Sequence, residues 1–312
     1  MAPTVRARSA DPPTNKIDLK LGYACERQCH FCVQGDLRRR FPKPKSSKEL
    51  TAALREGRAR SEYVVFTGGE PTLYPWLPAL VRCARLFGYR RIQVQTNGRR
   101  FADPAYCREL IRAGANEFAP SLHGSTAGLH DFLTDAPGSF EKTWAGIENL
   151  LGLGQYVLTN TVVTSRNFTD LPALASRLAA AGVRHIQFAF VHIVGQAAAN
   201  ASWLVPRKAD AVPWMLKAVD AGRAGGARCF TEGVPLCLLR GYEDCAAERV
   251  MPVMTIFHAD GTTCDDFTRE RVEVQKRKGP ACGECAFGAA CEGPWHEYPE
   301  LYGFGEFLPV RA

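Results

Sequence analysis

The sequence predicts an α/β protein, a parallel sheet wrapped by helices with a small cysteine-rich region after it, on three observations. From Ile17 onward, short β-rich runs alternate with helix-like segments. Glycines punctuate the ends of the helical patterns. Beyond about Arg228 the alternation stops and cysteines crowd together.

In chain order the strands are expected at residues 17–23, 63–67, 91–96, 117–122, 156–164 and 185–192. Helices are expected between them at 47–60, 77–87, 104–113, 139–153 and 171–181. Gly88, Gly114, Gly154 and Gly182 follow four of these helices, where a left-handed terminal residue is most easily a glycine. Pro213 is expected in the first turn of a further helix running to Val219, before a break at Gly222, Gly225 and Gly226. A hairpin is expected from 253–258 and 262–267 around the turn Ala259-Asp260-Gly261. The chain thus divides into a flexible N-terminal segment (1–15), a core of six βα units (16–227) and a cysteine-rich region (228–312). That last region has few long apolar runs, so a metal staple suits it.

Composition excludes several classes. With 46% hydrophobic and 23% charged residues the chain matches a globular protein rather than a disordered one. No run approaches the ~18 apolar residues of a membrane span, and the polar start lacks a signal-peptide core, so a cytoplasmic location is expected. The net charge of +7 comes from dispersed groups such as Arg38, Arg39 and Arg40, which read first as a solvated basic face. Twelve cysteines in a reducing compartment serve metals or catalysis more often than disulfides. Of the scattered ones, Cys83 and Cys107 read as small buried hydrophobes.

Cys25-Glu-Arg-Gln-Cys29-His-Phe-Cys32 follows the first expected strand with the spacing CxxxCxxC, so three thiolates can converge from one loop. An iron-sulfur cluster normally takes four cysteines; three leave one iron open to a small molecule. A zinc site completed by His30 is the competing reading, although structural zinc sites usually show two pairs of ligands.

Further motifs stand at the ends of the following strands: Thr67-Gly68-Gly69-Glu70-Pro71, Thr96-Asn97-Gly98 and Ser121-Leu122-His123-Gly124. With them the chain resembles the radical S-adenosylmethionine (SAM) superfamily, whose signature CxxxCxΦC takes an aromatic residue where Phe31 stands. The resemblance spans about residues 17–194. It implies a partial (βα)6 TIM-like barrel with its active face at the strand ends. It also implies a 4Fe-4S cluster on Cys25, Cys29 and Cys32, and SAM as cosubstrate. In such enzymes an electron from a donor such as flavodoxin or ferredoxin passes through the cluster into SAM, and the resulting 5'-deoxyadenosyl radical abstracts a hydrogen atom from substrate. Gly68 and Gly69 would admit the methionine closely and offer it their amides, and Glu70 would offer its ammonium a carboxylate. Asn97 and Ser121 would hold the rest of SAM, with Asn160 and Val163 near the ribose or adenine.

Cys282-Gly-Glu-Cys285 with Cys291 forms CxxCx5C, which resembles the SPASM and twitch auxiliary-cluster extensions. A full SPASM domain has further cysteines, but Trp295 stands at the first of those places and no cysteine follows. One second 4Fe-4S cluster on Cys282, Cys285, Cys291 and Cys237 is therefore expected, with Cys264 or Cys245 as other choices for the fourth ligand. A zinc ribbon on the same thiols is the alternative. The segment Gly293 to Gly303 is expected as an aromatic lid over this cluster loop.

The resemblance implies a hydrogen-abstracting enzyme acting on a ribosomally made peptide or a small secondary metabolite. Cys229, Cys245 or Cys264 would return a hydrogen atom if the product needs one. A second reading takes a nucleotide or RNA, on the positive charge and a general likeness to the molybdopterin-precursor cyclase, whose auxiliary cluster contacts a purine nucleotide. No aromatic-basic RNA platform is visible, which argues against nucleic acid. A third reading is a non-catalytic iron-sulfur or zinc-binding protein.

Overall fold

The computed structural model describes residues 15–311. Of the expected N-terminal segment, all but Asn15 lies outside them. Among the described residues no helix is long and apolar enough to cross a membrane.

Among the described residues nine strands form one sheet: β1 Asn15–Lys20, β2 Tyr63–Thr67, β3 Arg91–Thr96, β4 Glu117–Pro120, β5 Tyr156–Val163, β6 His185–Phe190, β7 Arg228–Glu232, β8 Val253–Phe257 and β9 Thr263–Cys264. Their order is β7-β6-β5-β4-β3-β2-β1-β8-β9. Every neighbouring pair is parallel except the β8–β9 hairpin. Helices Ser47–Arg58, Leu77–Leu86, Pro104–Ala113, Ser139–Gly152 and Leu171–Ala181 cross between successive strands, as parallel pairing demands.

Side-chain alternation gives the sheet two faces. On β1, Ile17 and Leu19 are fully buried, and Ile17 lies close to Gly57 of the helix Ser47–Arg58. Asp18 points the other way and accepts from Thr67 Oγ1 on β2. On the same inner face Arg91 clasps Glu117 through two hydrogen bonds of 2.7 and 3.1 Å. The helix Ser47–Arg58 begins at a capping box: Ser46 accepts from the Glu49 amide while the Glu49 carboxylate accepts from the Ser46 amide.

Three features depart from expectation. The alternation continues past Arg228, because Arg228–Glu232 pairs with β6 as a seventh parallel strand. The hairpin is not separate either: β8 lies parallel to β1, tying the C-terminal region to the first strand. Third, Pro213 is interior to a helix that runs from Lys208 to Ala224. That helix starts early because distant groups satisfy its first amides: Lys208 N donates to the Tyr298 hydroxyl (2.6 Å) and Ala209 N to Glu306 (2.8 Å). No local signal announces such caps.

Because β1 to β7 are parallel, their C-terminal ends share one rim. The motif residues Cys25 to Cys32, Gly68 to Glu70, Asn97 and Ser121 follow those ends.

Candidate active site and a second thiol group

The loop Cys25–Cys32 is held from several sides. Arg38 donates to Arg27 O (3.0 Å), Asn200 to His30 O (2.9 Å), and the amides of Gly35 and Gln196 to Cys32 O. Burial pushes the thiol of Cys25 up to about 11 and that of Cys29 to about 12. Binding to a metal centre would take these groups as thiolates. The Arg27 amide lies 3.5 Å from Cys25 Sγ. Three thiols from one loop, with an amide turned to one of them, fit a cluster held by three cysteines.

Gly68 and Gly69 are needed for a reason the motif does not reveal. A Cβ on Gly68 would stand 2.3 Å from Gly22 O, and one on Gly69 2.2 Å from Ala24 O and 2.4 Å from Tyr23 O. Gly68 also holds φ +136°, which disfavours any other residue. The amides of Gly69 and Glu70 donate to Gly22 O (2.8 Å) and Ala24 O (2.7 Å). The expectation that the Gly69 amide serves the methionine is thus corrected: it locks the end of β2 against the start of the cysteine loop.

Glu70 is also tied into the chain. Its carboxylate is buried and accepts from Thr72 N (2.9 Å), Thr72 Oγ1 (2.6 Å), Thr96 Oγ1 (2.6 Å) and Asn97 N (2.7 Å). Burial pushes its pKa up and these donors oppose the rise. Through the last of these bonds the carboxylate anchors Asn97. The Asn97 side chain in turn donates to Glu26 (2.8 Å).

Ser121 and Asn160 face each other as a parallel bridge between the ends of the fourth and fifth strands. Asn160 Oδ1 is buried without a hydrogen-bond partner among the described residues, as an oxygen awaiting a donor would be. Val163 is three residues on and fully buried. The strand period of two turns its side chain to the opposite face, so Val162, not Val163, shares the face of Asn160. Phe31 is buried with its ring 4.5 Å from that of His123.

Sequence reasoning missed His123 and His130. His123 Nδ1 accepts from Val162 N (3.2 Å), and His130 Nδ1 accepts from His123 N (3.0 Å). Both imidazoles are therefore neutral and carry their proton on Nε2. Burial pushes both pKa values down, that of His130 to about 3. A lone histidine beside a strand end gives no signal of this pairing.

In the C-terminal region Cys237, Cys282, Cys285 and Cys291 line one cavity, together with Pro235, Lys278 and Phe307. Backbone amides turn toward the sulfurs: Leu236 N and Gly293 N lie 3.4 Å from Cys291 Sγ, and Val310 N 3.4 Å from Cys285 Sγ. Burial pushes the Cys237 thiol up to about 12, and the other three thiols add to the rise. Four thiols with amide donors fit a second cluster. The alternatives for the fourth position lie elsewhere. Cys245 is fully buried 3.6 Å from Thr231, and Cys264 is 2.9 Å from Glu270.

The same positions correct the hydrogen-donor expectation for two of its three thiols. Cys229 and Cys245 are buried, and Cys229 packs beside Gly222, on the face of β7 opposite Phe230 and Glu232. The aromatic segment also departs from a simple lid. Trp295 stacks on His192 at 4.0 Å under the Lys276 ammonium, and Tyr298 packs on Phe190, so these rings join the C-terminal region to the sheet. Cys107 is fully buried, as a structural thiol should be.

The sequence profile of the radical SAM superfamily matches residues 19–178. The chain belongs to the radical SAM superfamily. Its members use SAM and a 4Fe-4S cluster, and the mixed α/β sheet is the partial TIM-like barrel of these enzymes. A probable GTP 3',8-cyclase of Saccharolobus islandicus (strain M.14.25 / Kamchatka #1) is 29% identical over 185 residues, 59% of this chain and 59% of that protein. The match thus spans less than two thirds of that relative's length. Among solved structures, Streptococcus suis SuiB bound to the precursor peptide SuiA matches with a TM-score of 0.63 at 15% identity, over 85% of this chain and 61% of that one. The native enzyme anSMEcpe, with bound AdoMet and the Kp18Cys peptide, gives 0.66 at 14% identity over 95% and 93%.

Proposed function

We propose that this radical SAM enzyme abstracts a hydrogen atom from a peptide of ribosomal origin or a small secondary metabolite. In this reading Cys25, Cys29 and Cys32 hold the catalytic cluster, and Cys237, Cys282, Cys285 and Cys291 an auxiliary one. SAM and the clusters supply one-electron chemistry and a carbon radical when bound; the chain encloses them, orients them and keeps water away. Asn97, Ser121 and Asn160 at the strand ends line the side on which SAM would lie, and Phe31 with His123 would wall it. The electron comes from a small redox protein such as flavodoxin or ferredoxin.

The observation that carries the choice of substrate is the fourth thiol, Cys237, on the wall of the second cavity. A purine that contacts an auxiliary cluster needs an iron free of protein sulfur, and four thiols leave none. Two peptide-bound fold relatives favour a peptide. The cyclase relative favours a nucleotide as the second reading.

Anaerobically reconstituted enzyme with dithionite and SAM should therefore leave GTP unchanged. A peptide or small-molecule fraction of producer-cell extract should show a SAM-dependent mass change by mass spectrometry. Conversion of GTP would overturn the reading.

A further inference from the structure

We propose that Arg27 is the fixed counter-cation of the N-terminal cluster, its buried guanidinium holding the thiolate-ligated centre and setting how readily it is reduced. The inference rests on the reading of Cys25, Cys29 and Cys32 as cluster ligands. Arg27 lies between the first two of them and is only 2% exposed. Its donors reach neutral acceptors alone: one terminal nitrogen lies 3.1 Å from Asn97 O and 2.7 Å from Thr143 Oγ1. Its Nε is buried without a partner among the described residues.

The other buried cations of the chain are handled differently. Arg271 is clasped by Glu292 (2.9 and 2.7 Å), and Lys276 pairs with Glu248 (3.3 Å). Lys208 has no carboxylate but donates to Gly233 O (2.8 Å) and lies over the rings of Phe190 and Tyr298. Arg27 alone of these has neither a clasping carboxylate nor an aromatic face among the described residues. A buried charge without a counter-ion is expensive, and it persists where an anion arrives.

The thiolates of the loop that carries Arg27 would supply that anion: its backbone amide already lies 3.5 Å from Cys25 Sγ. A 4Fe-4S centre on three thiolates carries one net negative charge when oxidised and two after accepting one electron. A cation held at fixed distance in a medium of low dielectric favours both states, and the reduced one more. Asn97, the acceptor for Arg27, is itself anchored by Glu70, so the Gly-Gly-Glu segment also fixes the cation.

The test compares full-length wild type, Arg27→Met and Arg27→Lys, all reconstituted anaerobically. Each is titrated with dithionite against redox mediators, and the reduced cluster is followed by electron paramagnetic resonance. A variant with Cys25, Cys29 and Cys32 all changed to Ala identifies the N-terminal signal. At the wild-type midpoint, the reduced-to-oxidised ratio of Arg27→Met should be at least ~tenfold lower, a shift of about 59 mV for one electron. Arg27→Lys should stay within about threefold of wild type, well under that tenfold step. Should Arg27→Met fail to fold, Arg27→Gln stands under the same criterion. A neutral variant that titrates with wild type, or a lysine variant shifted as far as the neutral one, overturns the proposal. Persistence of the whole signal in the triple cysteine variant would instead sink the ligand reading.

Discussion

Two residues show how a short motif works through its neighbours. Gly69 is required by the approach of Tyr23 and Ala24, so Gly69→Ala pushes the cysteine loop away by direct backbone collision. The rate of 5'-deoxyadenosine release should fall about a hundredfold, the usual scale for a displaced reacting group, while circular dichroism stays native. Release within twofold of wild type would contradict this account. His130 gives a prediction in pH. Burial, with the Arg27 charge added, holds its pKa at about 3, whereas in the unfolded chain it titrates near ~6.5. Between those values the unfolded state binds the extra proton, so this contribution to stability is complete above ~6.5 and is lost as pH falls toward 3. The melting temperature should drop between about pH 7.5 and about pH 5, and drop less in His130→Gln; equal slopes would reject the assignment.

Among elements, those with a strong local pattern were legible. The spans 63–67, 91–96, 104–113 and 171–181 follow from alternation, Pro at the first helical turn and glycine after the last. Pairings remote in sequence were not. Nothing in 253–257 tells that it will lie beside Asn15–Lys20, and the early start of the helix Lys208–Ala224 depends on Tyr298 and Glu306, some ninety residues away. The cysteine spacing was legible, but the partners of Glu70 and the burial of Arg27 were not, because a motif records residue types and not what they touch. The C-terminal loops carry their own prediction. Loss of Cys237 should remove one cluster, about four irons per chain, whereas Cys264→Ala and Cys245→Ala should keep full iron content. Iron analysis of the three variants checks this, and equal loss in Cys264→Ala would reassign the fourth ligand.

At the scale of the whole molecule, one parallel sheet brings the cysteine loop, Gly68 to Glu70, Asn97, Ser121 and Asn160 to a common rim. The C-terminal region is tied to that sheet at both ends of its order, through β8 on β1 and through Trp295 and Tyr298 on His192 and Phe190. This arrangement carries both thiol groups on one scaffold. The central claim concerns the first of them: three cysteines leave one iron for SAM. It is tested most directly by recording the electron paramagnetic resonance spectrum of the dithionite-reduced protein before and after SAM is added. The account predicts that SAM alters the signal belonging to Cys25, Cys29 and Cys32 and leaves that of the second group unchanged. A spectrum that SAM does not alter would contradict it.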